Sequence, residues 1–501
     1  MSASPSWNFA GRLLERACGS AYLVDAPSGE VTAPRELGPA VASFGAGFLS
    51  AGLHAGDRLL LACDLSASTA LAYLGAMYAG IVPVPVHERT WPTAAEAILS
   101  STRARAVWTA PGFAGFAGCT AGGSVRHLTG RLSAPPSASA AACREDDLAV
   151  LMPTSGSTGI PRLVKVSHGN LIANTEAIIR SQRLRHDECA MLILPMSYCF
   201  GASVLHTHLY RGGGVVFDSR FMFPDKVLKA IDEFGCTSFA GVPTAYQLLL
   251  SRSSIRTLSL KPLRRFLQAG GALAAERVRE IRAIVPHAEF FVMYGQTEAT
   301  ARICCLPPER LTEKWGSVGL PLDNLAVRVI DADGHEAAAG ERGTIWAAGK
   351  SICHGYLDEP QASARKFREG WLVTEDIGYR DSDGFLWLIG RTDEFIKMRG
   401  IRLSLGEVEA RVATTPGVSE CAAAAVPHVD AGEAIALYVV AQDGGEEVLA
   451  AVRHALPKEW ICESLTLVAA LPRTAHGKLA RWLLPKPHVR SADNRGIAGS
   501  A

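Results

Sequence analysis

Residues 154 to 159 read Thr-Ser-Gly-Ser-Thr-Gly. Residues of this kind present backbone N–H groups without bulk and add hydroxyls. A polyphosphate cradle needs that chemistry, because its donors must wrap an anion closely. A bare Gly/Ser/Thr hexamer reads equally well as a flexible turn, so the flanks decide. The apolar run Leu148, Ala149, Val150, Leu151, Met152 predicts a buried strand feeding the loop. Pro161 is expected to stop regular pairing beyond it, and Arg162 sets a positive charge beside it.

Strand-like and helix-like segments alternate around this loop. Helical periodicity covers 40–53, 66–78, 224–234 and 275–284, and apolar β runs cover 58–63, 81–86, 190–194, 214–217, 238–242 and 289–293. Such alternation predicts an α/β fold with parallel sheets. Residues 110–143 are rich in Ala, Gly, Ser and Pro and read as surface loops. From about Ser317 the texture becomes β-rich, with turns at Asp333-Gly334 and Asp383-Gly384. A small α+β unit follows, with helices over 404–413 and 446–455 and strands over 420–426 and 434–441. The expected organisation is a large domain over 1–390, a small mobile domain over 391–490 and a disordered tail over 491–501, with the boundary at Arg391–Asp393.

At 501 residues the chain exceeds what one core serves. A net charge of +1 gives no general pull towards nucleic acid or anionic membrane. No stretch reads as a signal peptide or bilayer span. Twelve scattered cysteines, with no C-x-x-C pair, fit a reducing cytoplasm and small core residues rather than zinc.

Five motifs in order resemble the adenylate-forming superfamily of acyl-CoA synthetases, nonribosomal-peptide adenylation domains and luciferases. Thr154–Arg162 is similar to its TSG-[ST]-TG-x-PK, and Tyr294-Gly295-Gln296-Thr297-Glu298 to its Y-G-x-T-E. Residues 371–378, WLVTEDIG, resemble W-x-x-T-G-D-x-G. Residues 390–400 resemble the hinge and the loop after it, and 471–478, LPRTAHGK, match L-P-x-T-x-x-G-K. Each pattern alone is weak; five at family-like spacing are specific.

The resemblance implies two half-reactions. A carboxylate and MgATP give an acyl-adenylate and pyrophosphate. A pantetheine thiol, on CoA or on the phosphopantetheine of a carrier protein, then displaces AMP. No carrier serine motif follows Lys478, so an external acceptor and a standalone enzyme are expected. Attack of one anion on another needs neutralisation and alignment. By resemblance, Ser155, Gly156, Ser157, Thr158 and Gly159 hold phosphate together with Thr154 and Arg162. Glu298 and Thr158 serve Mg2+ as hard oxygen ligands, and Thr297 donates to the α-phosphate. Tyr294 faces adenine, with Gly295 and Gln296 beside it and Gly271 and Ala272 leaving room for the ring. Asp376 takes the ribose hydroxyls and Arg391 reaches the same side. Lys478 stabilises charge at the reacting carboxylate. After adenylation the small domain turns about Asp393, and the loop from Lys397 to Gly400 lines a pantetheine tunnel.

Four positions depart from the family. Arg162 replaces the phosphate-loop lysine, and a planar fork is not equivalent to an ammonium. Glu375 stands where a glycine is usual. In Pro195–Gly201, Tyr198 replaces a histidine and becomes a gate at the substrate carboxylate. Cys199 falls near an aspartate that holds the substrate ammonium in amino-acid-activating relatives, and no acid lies between Met191 and Phe217. An unpaired buried ammonium is costly, so an acid with an uncharged tail is expected. Cys199, Phe200, Phe239, Val242, Tyr246 and Gly270 are the expected pocket wall, apolar or aromatic. An enzyme loading an unusual amino acid, one transferring to an amine, and an inactive nucleotide-binding homologue are the alternatives. Residues 343–351, GTIWAAGKS, mimic a Walker loop with one residue too many between the glycines. His168, His206 and His208 form no metal-binding pattern and read as structural.

Overall fold

The computed structural model describes residues 6–111, 113, 125–130, 132, 134–137, 139–154, 161–399, 401–428, 430–441, 445–473 and 479–485. It divides into two compact units. One runs to Thr374 and takes in Gly378–Leu388; the other takes in Glu375–Ile377 and the described residues from Ile389 on. Glu375–Ile377, expected in the large domain, thus group with the small unit, and the change falls at Ile389 rather than Arg391.

The large unit is built on short apolar strands that read as near-continuous hydrophobic runs, the mark of a parallel sheet covered on both faces. Tyr22–Asp25, Gly214–Phe217, Cys189–Leu192, Ser238–Gly241, Arg265–Gln268 and Glu289–Tyr294 lie side by side and parallel. Beyond Tyr294 the sheet turns antiparallel through Cys304–Leu306 and Ser317–Pro321. The β-rich segment read from Ser317 is therefore continuous with the main sheet. A second parallel sheet holds Val82–His87, Arg58–Cys63, Ala106–Thr109 and Arg126–Thr129. The last of these lies inside the stretch read as loop. It is an edge strand of mostly exposed polar residues, so it carries no apolar signature.

The strand Leu148–Pro153 pairs antiparallel with Leu163–Ser167, and the two enclose the Gly/Ser/Thr loop. Pro161 does not end the pairing. The Thr154 N–H donates to the Arg162 carbonyl at 2.8 Å, and the ladder resumes at Leu163. The loop is a hairpin connection rather than a strand-to-helix turn. The helix His168–Gln182 starts only after the second strand. Ser167 caps it, its hydroxyl accepting from Asn170 N–H at 3.1 Å while the Asn170 amide oxygen accepts from Ser167 N–H at 3.0 Å.

The Walker-like GTIWAAG is the strand Gly343–Gly349, paired with Leu325–Ile330. His168 Nδ1 accepts from the Phe9 N–H at 3.0 Å, and His208 Nε2 meets the Ser238 hydroxyl at 2.8 Å. His206 lies flat on the Tyr73 ring, 5.7 Å between centroids.

The small unit is a five-stranded sheet with Phe395–Met398, Ile401–Ser404, Val418–His428, Gly432–Ala441 and Cys462–Leu467, packed on the helices Leu405–Val412 and Gly445–Ala455. Arg481 secures its last described segment, donating to Glu394 at 3.1 Å, to Glu409 at 3.0 Å and to the Ala423 carbonyl at 2.8 Å. No described helix is long and apolar enough to cross a membrane.

Candidate active site

Tyr294 ends its strand in register with Cys304, and everything between forms one tight turn. A side chain at Gly295 would place its Cβ 1.9 Å from the Ala301 carbonyl oxygen, so only glycine allows the chain to fold back here. Thr297–Ala299 form a single 3-10 turn, and Thr300 closes it with φ 65° and ψ -58°, a strained combination for a side-chain-bearing residue. The Thr300 hydroxyl donates to the Ser351 carbonyl at 2.7 Å, which fixes that strained residue. The Thr297 hydroxyl donates to the Cys199 thiol at 3.5 Å, and the Cys353 N–H to the Glu298 carbonyl at 2.9 Å.

The Glu298 carboxylate is buried and accepts a hydrogen bond from the Tyr356 hydroxyl at 2.6 Å. Tyr356 was not legible as a site residue; its only sequence signal is the preceding Gly355. That glycine sits at φ 93°, and its carbonyl accepts from Lys165 N–H at 2.9 Å. Tyr356 then bridges to Val164, on the strand leaving the phosphate loop. Its ring lies under the Arg162 guanidinium, 5.5 Å from the centroid. One tyrosine therefore ties the acid of the Y-G-x-T-E turn to the exit of the Gly/Ser/Thr loop. Arg162 also pairs with the half-exposed Glu359 at 3.1 Å. Gly156 and the other residues from Ser155 to Gly159, with Thr158 as metal candidate, lie outside the described residues, as do Gly400 and Lys478.

The expected substrate wall divides in two. Tyr198, Cys199, Phe200 and Val242 belong to the same core as Tyr294. A Cβ on Gly270, φ 86°, would meet the Tyr198 hydroxyl at 2.5 Å and Val242 at 3.1 Å, so the tyrosine lies directly on this glycine. Gly271 approaches Pro243, and its carbonyl accepts from the Gln268 amide at 2.7 Å. Ala272 lies in the irregular segment between Gly271 and the helix Ala275–Ile284. Phe239 and Tyr246, by contrast, are fully buried in a separate aromatic core with Phe266 and Phe290. The Tyr246 hydroxyl donates to the Leu267 carbonyl at 2.9 Å. Strand alternation explains the correction: Phe239 and Ala240 point to opposite faces, and the alanine is the one that shares the core of Tyr198.

In the other unit, Arg391 pairs with Asp376 at 3.4 Å and with Glu375 at 3.1 Å. Glu375 has φ 66°, which gives the family's glycine at this position its physical reason. The Thr392 hydroxyl adds a bond to the Glu375 carbonyl at 3.0 Å. The Lys397 N–H donates to Glu433 at 2.6 Å. Asp393 falls in the short turn Thr392–Glu394, and its side chain lies outside the described residues. Gln296 donates to the Thr374 carbonyl at 3.4 Å.

Residues 17–357 match the model of the AMP-binding enzyme family, and residues 407–478 match the AMP-binding enzyme C-terminal domain. The chain belongs to the AMP-binding enzyme family. The resemblance carried by the five motifs, and the α/β fold with a small C-terminal unit, are borne out. The chain is 32% identical to a feruloyl-CoA synthase of Amycolatopsis sp over 461 residues, covering 89% of this chain and 92% of that one. It is 31% identical to a sulfoacetate–CoA ligase of Cupriavidus necator over 487 residues, covering 92% and 94%. ATP-bound MatB from Rhodopseudomonas palustris superposes with a TM-score of 0.86 at 26% identity, over 96% of this chain and 98% of that one. Among AMP-binding enzymes with such relatives, the activity class is that of an AMP-forming acid–thiol ligase.

Proposed function

We propose that the protein activates a small carboxylic acid with ATP and passes the acyl group to the thiol of CoA. In the first half-reaction a carboxylate oxygen attacks the α-phosphorus, the bond to the β-phosphate oxygen breaks and pyrophosphate leaves. In the second, the thiol sulfur attacks the acyl carbon, AMP leaves and the thiol proton passes to solvent. The names of the relatives support CoA as acceptor over a carrier protein. The described cysteines are free thiols, which fits a cytoplasmic setting.

The observation that carries this reading is Tyr356, which joins buried Glu298 to the strand leaving the phosphate loop. Glu298 supplies one hard oxygen, and among the described residues no cluster of three His, Cys, Asp or Glu could hold a metal. One carboxylate suits Mg2+, which keeps several waters and is otherwise held by substrate phosphates. When bound, the ion neutralises charge on the polyphosphate. Arg162 and the Thr154 backbone hold the loop's exit and entrance, and Thr297 is set to donate towards the α-phosphate. Tyr198, on Gly270, gates the acid. Lys478 serves the first half-reaction, and the Lys397–Gly400 loop the second, with Asp393 as the pivot.

Acid-dependent exchange of pyrophosphate into ATP, over a panel of fatty, aryl, dicarboxylic and amino acids, tests the first step. Thioester formation with CoA, against a phosphopantetheinylated carrier, tests the second. Lys478→Ala should abolish exchange while leaving ATP binding. Exchange at the wild-type rate in that variant refutes the lysine's role.

A further inference from the structure

Arg302 lies four residues after Glu298 of the Y-G-x-T-E turn and is 2% exposed. Its backbone is clamped: the N–H donates to the Asn174 amide oxygen at 3.3 Å, and the carbonyl accepts from the Asn174 amide nitrogen at 3.0 Å. That clamp fixes where the side chain starts. The guanidinium lies over the Phe200 ring, 4.9 Å from the centroid. Its Nε has no hydrogen-bond partner, and among the described residues no carboxylate pairs with it. The ionisable groups facing it are Tyr198, Cys199 and Cys305. Two of these, with Phe200, are candidate walls of the acid pocket.

A buried cation without an acid is costly and is retained where something arrives to pair with it. Arg265 shows the ordinary solution in the same unit: equally hidden, it donates to Glu188 at 2.7 Å and to the Gln182 carbonyl at 2.7 Å. Arg302 has no such acid. A guanidinium held over an aromatic ring makes no hydrogen bond to it, so its planar fork of N–H donors remains to receive a carboxylate through two parallel bonds. The expectation of an uncharged tail rested on the missing partner for an ammonium and left this cation out.

We propose that Arg302 receives a second carboxylate on the acid, so that the preferred substrate is a dicarboxylic acid activated at one end and held at the other. The proposal rests on the ligase reading above and names the substrate class of that site. Arg302 is a specificity-determining residue and takes no part in the phosphoryl chemistry.

The test is acid-dependent pyrophosphate exchange with dicarboxylates of graded length, aliphatic and aryl, each against the monocarboxylate bearing a methyl group at the distal end. A site built for a hydrogen-bonding group rejects analogues that lack it, so wild type should favour the best dicarboxylate over its partner by about 100-fold or more in kcat/KM. Arg302→Met should cut that ratio to about threefold or less, mainly by raising KM for the dicarboxylate, and Arg302→Lys should retain part of it. ATP binding should be unchanged in both. A wild type that uses monocarboxylates as well as dicarboxylates overturns the proposal, as does a ratio untouched in Arg302→Met. If that variant does not fold, the wild-type ratio and the lysine variant decide. Exchange with no acid at all overturns the ligase reading, and this inference with it; exchange with monocarboxylates alone overturns only the inference.

Discussion

Removing the Tyr356 hydroxyl isolates the link between the metal-candidate acid and the phosphate loop. Tyr356→Phe keeps the ring under Arg162 and the edge-to-face contact with Phe367, 5.9 Å between centroids. It deletes the 2.6 Å bond to Glu298. A hydrogen bond to a charged group contributes about 1.5–3 kcal/mol, and the lone carboxylate left behind is buried. Part of that loss appears as lower stability of the free enzyme. Binding of MgATP restores a cationic partner to Glu298, so the remainder appears as weaker preorganisation. At about 1.4 kcal/mol per decade the whole bond is worth about 10- to 150-fold, so kcat/KM for MgATP in pyrophosphate exchange should fall by a part of that, at most about 150-fold. The deficit should shrink as free Mg2+ is raised, whereas KM for the acid should stay within about twofold. The measurement is exchange over a Mg2+ titration, with thermal unfolding alongside. Wild-type stability together with wild-type dependence on ATP and Mg2+ would show that the hydrogen bond does nothing for the site, and the argument for Glu298 would fail.

Gly270→Ala drives a Cβ to 2.5 Å from the Tyr198 hydroxyl. Exchange activity should drop by about 100-fold through a misplaced gate, with partial recovery when Tyr198→Phe is added, because the φ of 86° and the Val242 contact remain, and full activity in the single variant would refute the contact. Tyr246→Phe removes the bond to the Leu267 carbonyl. It should cost about 1 kcal/mol in denaturant unfolding without reordering the acids that support exchange, and a changed acid preference would return Tyr246 to the pocket wall. Acid should destabilise the fold over a defined range. Burial lowers His87, His168 and His208 to about 4 and His206 to about 3, below the unfolded value near 6.5. The unfolded chain therefore binds more protons between those values, and stability present above pH 6.5 drains away as pH falls towards 4, by up to about 1.4 kcal/mol per unit for each histidine. A melting temperature unchanged between pH 7 and pH 5 would contradict that.

What the sequence could tell follows from how local each signal is. The strand Leu148–Pro153, the Tyr294–Glu298 turn and the central strands are contiguous runs whose composition states their geometry, so they were readable; the pairing of Leu163–Ser167 with the first of them was not, because Pro161 obscured it. Tyr356 and Arg302 were not. Each acts through contacts reaching across the fold, to Glu298 and Val164 in one case and to Phe200 and Asn174 in the other. Phe239 and Tyr246 were misplaced because aromatic character marks both a pocket and a core, and only the face of the strand separates them. Arg126–Thr129 was missed because an exposed edge strand has no buried face to pattern. Glu375 shows the converse: the departure from glycine was visible, but its φ of 66° was not.

The turn from Tyr294 to Cys304 has an engineering consequence. Both ends are pinned, by the pairing of those two residues and by the approach of Gly295 to the Ala301 carbonyl. Because side chains alternate along a strand, one inserted or deleted residue in this interval would send Cys304 and its successors to the opposite face. Attempts to reshape the acid's berth by altering loop length belong elsewhere on the molecule. Within this interval only the lettering can be varied, and Arg302 is the letter to vary first.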